Sequence, residues 1–223
     1  MAHFGEASHR THDVTYGLLF TTGVVGVLAQ LRRPERNVAG MLTALVPVAG
    51  LLLAAVLSGN DAIVQRNPLR YAAAVTVVAA LVHPAGRGLF RSFSFSRVNW
   101  VMVALVGIAA APLLAFASTN IGLQRAVPDA HGFMGHYGFM AAFSYTVIAG
   151  ALLASLRPVG WRLTAWISGL LPAALGVTSM LYPDAASSLG LPWALASIAW
   201  GAMFVAAAQL TDNAVGRSWG WIA

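Results

Sequence analysis

The chain has 223 residues, is 58% hydrophobic and only 9% charged, and has a mean hydropathy of +0.72. Soluble domains carry about 25% charged residues, so a water-soluble fold of this composition could not cover its surface. The formal charge of +6 suggests nucleic acid at first sight. In a membrane protein, arginines retained on the cytoplasmic side explain that charge without a nucleic-acid partner. The sequence predicts an all-α integral membrane protein.

Missing residue types exclude several chemistries. The chain has no Cys, which rules out disulfides, thiolate metal sites and thiol catalysis. All thirteen basic residues are Arg, so Schiff-base chemistry and a covalently bound retinal are excluded because both need a lysine amine. No charged residue lies near the middle of an apolar run, which weighs against a proton-coupled pump or a cation channel.

Apolar segments recur along the whole chain. A spanning helix needs about 20 mostly apolar residues, and seven segments approach or meet that length. They cover 14–31, 38–59, 68–90, 98–118, 131–156, 163–182 and 192–210. The third is the weakest, because its uninterrupted apolar run is short and ends before Pro84. A bundle of six spans with one re-entrant segment is the alternative to seven spans.

The arginine distribution favours seven spans. With the N-terminus outside, nine of the thirteen arginines fall on the cytoplasmic side, as the positive-inside rule requires. If the third segment did not cross, the five arginines between positions 66 and 97 would share one outer loop. We therefore predict an N-terminal extracytoplasmic arm (1–13), a seven-helix transmembrane domain (14–210) and a cytoplasmic tail (211–223). Exclusive use of Arg and richness in Ala suggest a bacterial or archaeal cytoplasmic membrane.

The segment DAHGFMGHYGFM, at positions 129–140, concentrates polar residues at the start of the fifth span. Pro128 and Asp129 indicate a helix start with Asp129 as the N-cap. On one continuous helix, His131 and His136 would point about 140° apart. Alone they would therefore not chelate a metal ion, but the histidines near the N-terminus could complete a site by folding back over them.

This arrangement predicts a metal site on the outer side. The candidate ligands are His9, His12, Asp13, Asp129, His131 and His136. Neutral imidazoles suit zinc or copper, and a thioether would favour Cu(I). Haem with His136 as an axial ligand is a second possibility, with a cofactor pocket formed by His136, Tyr137 and Met140. The structural alternative is a capped helix mouth whose histidines bind nothing.

A second patch lies on the predicted inner side, in the segment GRGLFRSFSFSR at positions 86–97. Aromatic and basic residues alternate there, as in interfacial segments whose rings enter the headgroup region while arginines meet anionic lipid. The predicted lipid-contacting residues are Arg87, Phe90, Arg91, Phe93, Phe95 and Arg97.

Three classes of function fit these features. The spans lack charge and the loops are too short for a catalytic domain, which favours a non-catalytic membrane subunit or scaffold. Such a protein would bind lipid or a lipophilic ligand, and would pack against other membrane chains or a second copy. The first alternative is a metal- or haem-binding membrane protein. The second is a permease for a neutral or lipophilic solute, with helices kinked at Pro47, Pro112 and Pro172.

Overall fold

The computed structural model describes residues 9–31, 33–61, 63, 67–90 and 93–219. This part of the chain consists of helices and the turns and loops that connect them, and it contains no β-strand. The α-helices are α1 (Arg10–Leu28), α2 (Val38–Ser58), α3 (Asn67–Leu81), α4 (Trp100–Ala126), α5 (Ala130–Phe133), α6 (His136–Ser155), α7 (Trp161–Leu181) and α8 (Gly190–Trp219). Short 3₁₀ turns cover Ala29–Leu31, Pro34–Arg36, Gly86–Phe90 and Phe95–Arg97.

Six of the predicted spans are confirmed as helices long and apolar enough to cross a membrane: α1, α2, α4, α6, α7 and α8. The third predicted span, 68–90, is different, because its helix ends at Leu81 and a turn with Pro84 separates it from the following 3₁₀ turn. Proline cannot continue a helix without losing a backbone hydrogen bond. Several boundaries also differ: α1 begins at Arg10 rather than at 14, α4 extends to Ala126 rather than 118, and α8 extends to Trp219 rather than 210. The fifth predicted span, 131–156, is divided between α5 and α6.

Hydrogen bonds define the two ends of the bundle. At the end where α1 begins, here named the proximal end, Arg125 Nε donates to the Leu57 carbonyl at 2.8 Å and joins the last turns of α4 and α2. At the distal end, the backbone N–H of Asn99 donates to the Ser155 carbonyl at 2.9 Å. That bond joins the start of α4 to the end of α6, so α4 runs the length of the bundle.

The chain between α2 and α4 passes from the proximal to the distal end. It leaves α2 beside Leu57, and it reaches the distal end at His83, whose Nε2 lies 3.0 Å from Oε1 of Gln30, just after α1. Helix α3 has 15 residues, and at 1.5 Å per residue it accounts for about 22 Å of that path. The 3₁₀ turns that follow complete the connection to α4.

Helix α6 lies at the centre of the bundle and contacts α1, α2, α4 and α7. Its inward residues Phe139, Phe143 and Val147 are almost completely buried. The three prolines at which the sequence predicts kinks lie inside helices: Pro47 in α2, Pro112 in α4 and Pro172 in α7. A cleft of about 210 Å³ lies at the side of the bundle, between α1, α2 and α3, and its lining is almost entirely apolar.

Close contact between α7 and α8 depends on glycine. A Cβ atom at Gly169 of α7 would lie 2.8 Å from the carbonyl oxygen of Gly201 in α8 and 2.6 Å from Cγ2 of Val205. Small residues at such crossings let helix backbones approach, which is a main source of packing energy between apolar helices.

The substitution Gly169→Ala is expected to lower the unfolding free energy by about 1–3 kcal/mol, because the added methyl group overpacks the crossing. Thermal unfolding of the purified protein in detergent would measure the effect. Gly107→Ala is the matched control, since no atom lies within 4 Å of a Cβ at that position of α4. Equal unfolding temperatures for the two variants would contradict this account of the α7–α8 contact.

Candidate metal centre

The start of α6 is interrupted by a short helix, and this break sets the geometry of the site. Asp129 caps α5 as predicted, and its Oδ1 accepts a hydrogen bond from the N–H of Gly132 at 3.1 Å. Gly135 has φ 78° and separates α5 from α6. Left-handed backbone of this kind favours glycine, which has no Cβ to clash. His131 lies on α5 and His136 on α6. The angle of about 140° expected between them on one continuous helix therefore does not apply.

Four histidines converge at the proximal end. His9 and His12 come from the start of α1, and His131 and His136 from α5 and the start of α6. Each offers one ring nitrogen, and these four atoms all lie within 4.8 Å of one another. The ring centroid of His131 lies 4.4 Å from that of His9, 4.9 Å from that of His12 and 5.7 Å from that of His136.

The cluster is withdrawn from solvent. His9, His12 and His136 are 6%, 1% and 9% exposed. Nδ1 of His12 and Nε2 of His131 are buried and have no hydrogen-bond partner among the described residues. Buried polar atoms in folded proteins nearly always have a partner. Two such nitrogen atoms in one cluster are groups that a bound ligand would satisfy.

The spacing of the donor atoms can be compared with that around a transition-metal ion. Zinc–nitrogen bonds are about 2.0–2.1 Å long, so nitrogen atoms at the corners of a tetrahedron around one ion lie about 3.4 Å apart. The four donor atoms lie within 4.8 Å of one another, so the widest pair would have to approach by about 1.4 Å to hold one ion. Four neutral imidazoles are a suitable donor set for zinc or copper.

The same crowding disfavours haem. With His136 as an axial ligand, a macrocycle would have to occupy space beside its ring. The His9 and His12 rings already lie there, with centroids 5.5 and 5.1 Å from that of His136. Of the other predicted cofactor residues, Met140 is fully buried in the hydrophobic core, and Tyr137 has its ring 5.6 Å from that of His12.

Asp129 lies beside the cluster and is not one of the converging donors. Its Oδ2 accepts a hydrogen bond from the Tyr137 hydroxyl at 2.8 Å and lies 3.4 Å from Nδ1 of His131. Burial acts to raise the pKa of Asp129, but the hydrogen bonds from Gly132 and Tyr137 and the nearby His131 together hold it below its ordinary value. A charged carboxylate at this distance can orient His131 with Nε2 toward a metal ion, as in carboxylate–histidine–metal arrangements.

The remaining predicted ligand, Asp13, lies half-buried on α1 and is not among the four converging donors. At the distal end, Phe93, Phe95 and Arg97 of the predicted lipid-contacting loop are exposed. Arg91 lies outside the described residues, as do the side chains of Arg87 and Phe90.

Sequence reasoning missed the residues that hold the cluster in place. Gln124 is fully buried near the end of α4, and its Nε2 donates to the Gly132 carbonyl at 2.7 Å while its Oε1 accepts from the Gly138 N–H at 2.9 Å. It therefore bridges the break between α5 and α6. Asn120 lies one turn earlier on α4 and connects through Ser187 to His12. The sequence does contain one indication of these residues. Asn120 and Gln124 are four residues apart at the end of an apolar span, so both lie on one helix face.

No protein-family model, curated protein or solved structure matches this chain. The function must therefore be argued from the geometry of the site.

Replacing Gln124 with Met is expected to lower the unfolding free energy by about 1–3 kcal/mol, because the buried N–H of Gly138 loses its partner. The Gly132 carbonyl keeps only the hydrogen bond from the N–H of Gly135, at 3.1 Å. Thermal unfolding in detergent would measure the loss. The control is Thr119→Val on the same helix, since Thr119 is exposed and its hydroxyl bonds only to the carbonyl of Ala115 in its own helix. A Gln124→Met variant as stable as this control would show that the bridge contributes nothing.

Proposed function

We propose that the protein is an integral membrane protein that binds one divalent transition-metal ion, zinc or copper, through His9, His12, His131 and His136. The observation that carries the proposal is the convergence of four imidazoles from two distant parts of the chain, three of them buried and that of His131 partly buried. A cluster of unligated imidazoles withdrawn from water would leave polar nitrogen atoms without partners at a cost. A metal ion removes that cost by accepting the lone pairs.

The donor set indicates the kind of centre. Four protein ligands close a tetrahedral coordination sphere, whereas catalytic zinc sites keep one position for water or substrate. The proposed role is therefore structural or electron-carrying rather than hydrolytic. The ion fastens the start of α1 to the α5–α6 segment. The charged Asp129 beside His131 offsets part of the positive charge of the ion.

Fastening matters because α1 is one of the least buried long helices. In the most apolar 18-residue stretch of α1, only 22% of the residues are buried, against 78% in that of α6. Helices in an apolar solvent associate through packing and polar contacts rather than through a hydrophobic driving force. A metal bond between α1 and the centre of the bundle would supply much of the attachment that packing does not.

The orientation proposed from the arginines places this centre at the extracytoplasmic face of a bacterial or archaeal cytoplasmic membrane. Seven crossings are supported by the path of the chain between α2 and α4, which begins beside Leu57 at the proximal end and reaches Gln30 at the distal end through His83. With an N-terminus outside, the proximal end is the outer one.

The other expectations stay predictions. A subunit or scaffold that binds lipid or partner helices is supported by the exposed apolar residues of α4 and α8, such as Ile108 and Leu210, and it is compatible with a metal centre. A permease has less support, because the cleft that Pro47 lines opens at the side of the bundle between α1, α2 and α3.

Protein purified from its native membrane is expected to contain one zinc or copper ion per chain by elemental analysis. The double variant His131→Ala/His136→Ala is expected to lose the ion, and chelation of the wild type is expected to lower its unfolding temperature, because an ion that binds only the folded state stabilises it. Binding should weaken as the pH falls, since metal and protons compete for the imidazoles.

His83→Ala is the matched control. This histidine lies at the distal end, where Nε2 contacts Gln30 and Nδ1 accepts from the N–H of Ala85 at 3.1 Å, so its loss should leave the metal content unchanged. A wild-type protein free of metal, or a double variant that keeps it, would refute the proposal.

The seven-span arrangement can be tested by labelling single introduced cysteines, because the chain has no Cys of its own. Asp61→Cys and Ser94→Cys place single thiols at exposed positions on either side of α3. A membrane-impermeant maleimide should label the first in intact cells and the second only after the membrane is opened. Identical labelling of both variants would favour six spans, with α3 not crossing.

A further inference from the structure

Ser187 has an unusual backbone for its residue type. It lies in the connection between α7 and α8, and its φ of 62° falls in the left-handed region, which residues with a Cβ seldom adopt. Strained backbone of this kind persists where the surrounding structure enforces it, and it is concentrated at functional sites. At Ser187 the side chain lies between His12 on one side and Asn120 on the other.

The amide orientation of Asn120 sets the direction of the hydrogen bonds that connect it through Ser187 to His12. Nδ2 of Asn120 donates to the Phe116 carbonyl at 2.9 Å, which identifies the atom facing Ser187 as Oδ1. Oδ1 can only accept, so the Ser187 hydroxyl donates its single proton to it over 3.0 Å. Oγ of Ser187 can then only accept from Nε2 of His12, 3.2 Å away.

The consequence for His12 is a fixed tautomer. Nε2 carries the proton, and Nδ1 carries the lone pair. Nδ1 is the atom that is buried without a hydrogen-bond partner among the described residues. A metal ion binds the unprotonated nitrogen of a neutral imidazole, and the bond made by the other nitrogen decides which one that is.

We propose that Ser187 and Asn120 are positioning residues of the metal centre, which fix His12 as a ligand through Nδ1. This inference rests on the proposed metal centre and adds to it two residues from parts of the chain that hold no ligand. Helix α4 and the α7–α8 connection thereby join α1 and the α5–α6 segment in forming the centre.

The substitution Ser187→Gly separates this role from a merely structural one. Glycine adopts positive φ without strain, so the change removes the hydroxyl while relieving the backbone. That relief offsets the cost of leaving Oδ1 of Asn120 and Nε2 of His12 without the hydroxyl, and the unfolding temperature of the metal-free protein should change little. Affinity for Zn²⁺ or Cu²⁺ is expected to drop about 10–100-fold, as for other residues that orient a metal ligand. Ser188→Ala is the control, because its hydroxyl donates to the Ser179 carbonyl and not to the cluster.

Two spectroscopic measurements report on the tautomer itself. In metal-free protein at about pH 8, where imidazoles are largely neutral, nitrogen NMR should find His12 protonated at Nε2 in the wild type. Ser187→Gly and Asn120→Leu should give a mixture of tautomers, the second because Ser187 becomes free to donate. With Cu²⁺ bound, electron paramagnetic resonance should count four nitrogen ligands in the wild type and fewer in Ser187→Gly.

The outcomes distinguish this inference from the function on which it rests. A wild type that binds neither ion refutes the metal centre and with it the positioning role. A wild type that binds, with affinity and nitrogen count unchanged by Ser187→Gly, refutes the positioning role alone. His12 protonated at Nδ1 in the metal-free wild type would also overturn it.

Discussion

The structure depends on one constraint: a polar group buried among apolar helices must find a partner, because no water is there to supply one. Gln124 shows the constraint most clearly. Its amide bonds to the Gly132 carbonyl and to the Gly138 N–H, on either side of the break between α5 and α6. Without it, the Gly138 N–H would lose its partner, and the Gly132 carbonyl would keep only the bond from the Gly135 N–H. The two bonds link the segments that carry His131 and His136.

Polar side chains elsewhere in the bundle also have partners. The exceptions are therefore informative. At the distal end, His83 and Gln30 satisfy each other. At the proximal end, the chain of bonds from Asn120 through Ser187 reaches His12 and stops there, leaving Nδ1 unpartnered. Buried nitrogens without a partner among the described residues are found on His12 and His131 of this cluster, and they support the proposed ligand site.

A metal ion at this point would link local chemistry to the stability of the whole bundle. The proposed ligands come from two distant parts of the chain, so an ion would close a long loop and connect a lightly buried helix to the central one. Binding and folding are coupled in such sites, because the unfolded chain holds no preformed set of ligands. Asp129 caps α5, accepts a hydrogen bond from Tyr137 and lies beside His131, so it would act on the proposed centre through His131.

The sequence by itself determined the helical class, six long apolar helices, the capping role of Asp129 and the histidines worth following, because hydropathy, cap preference and ligand chemistry are local properties. Tertiary structure decided that His9 and His12 meet His131 and His136, and that Asp13 stays outside the group. It also decided the contacts of Gln124, Asn120 and Ser187. These depend on the left-handed turn at Gly135 and on contacts between residues as distant as His12 and Ser187. Helical periodicity predicts faces along one helix, and it carries no information about where that helix breaks or which distant loop packs against it.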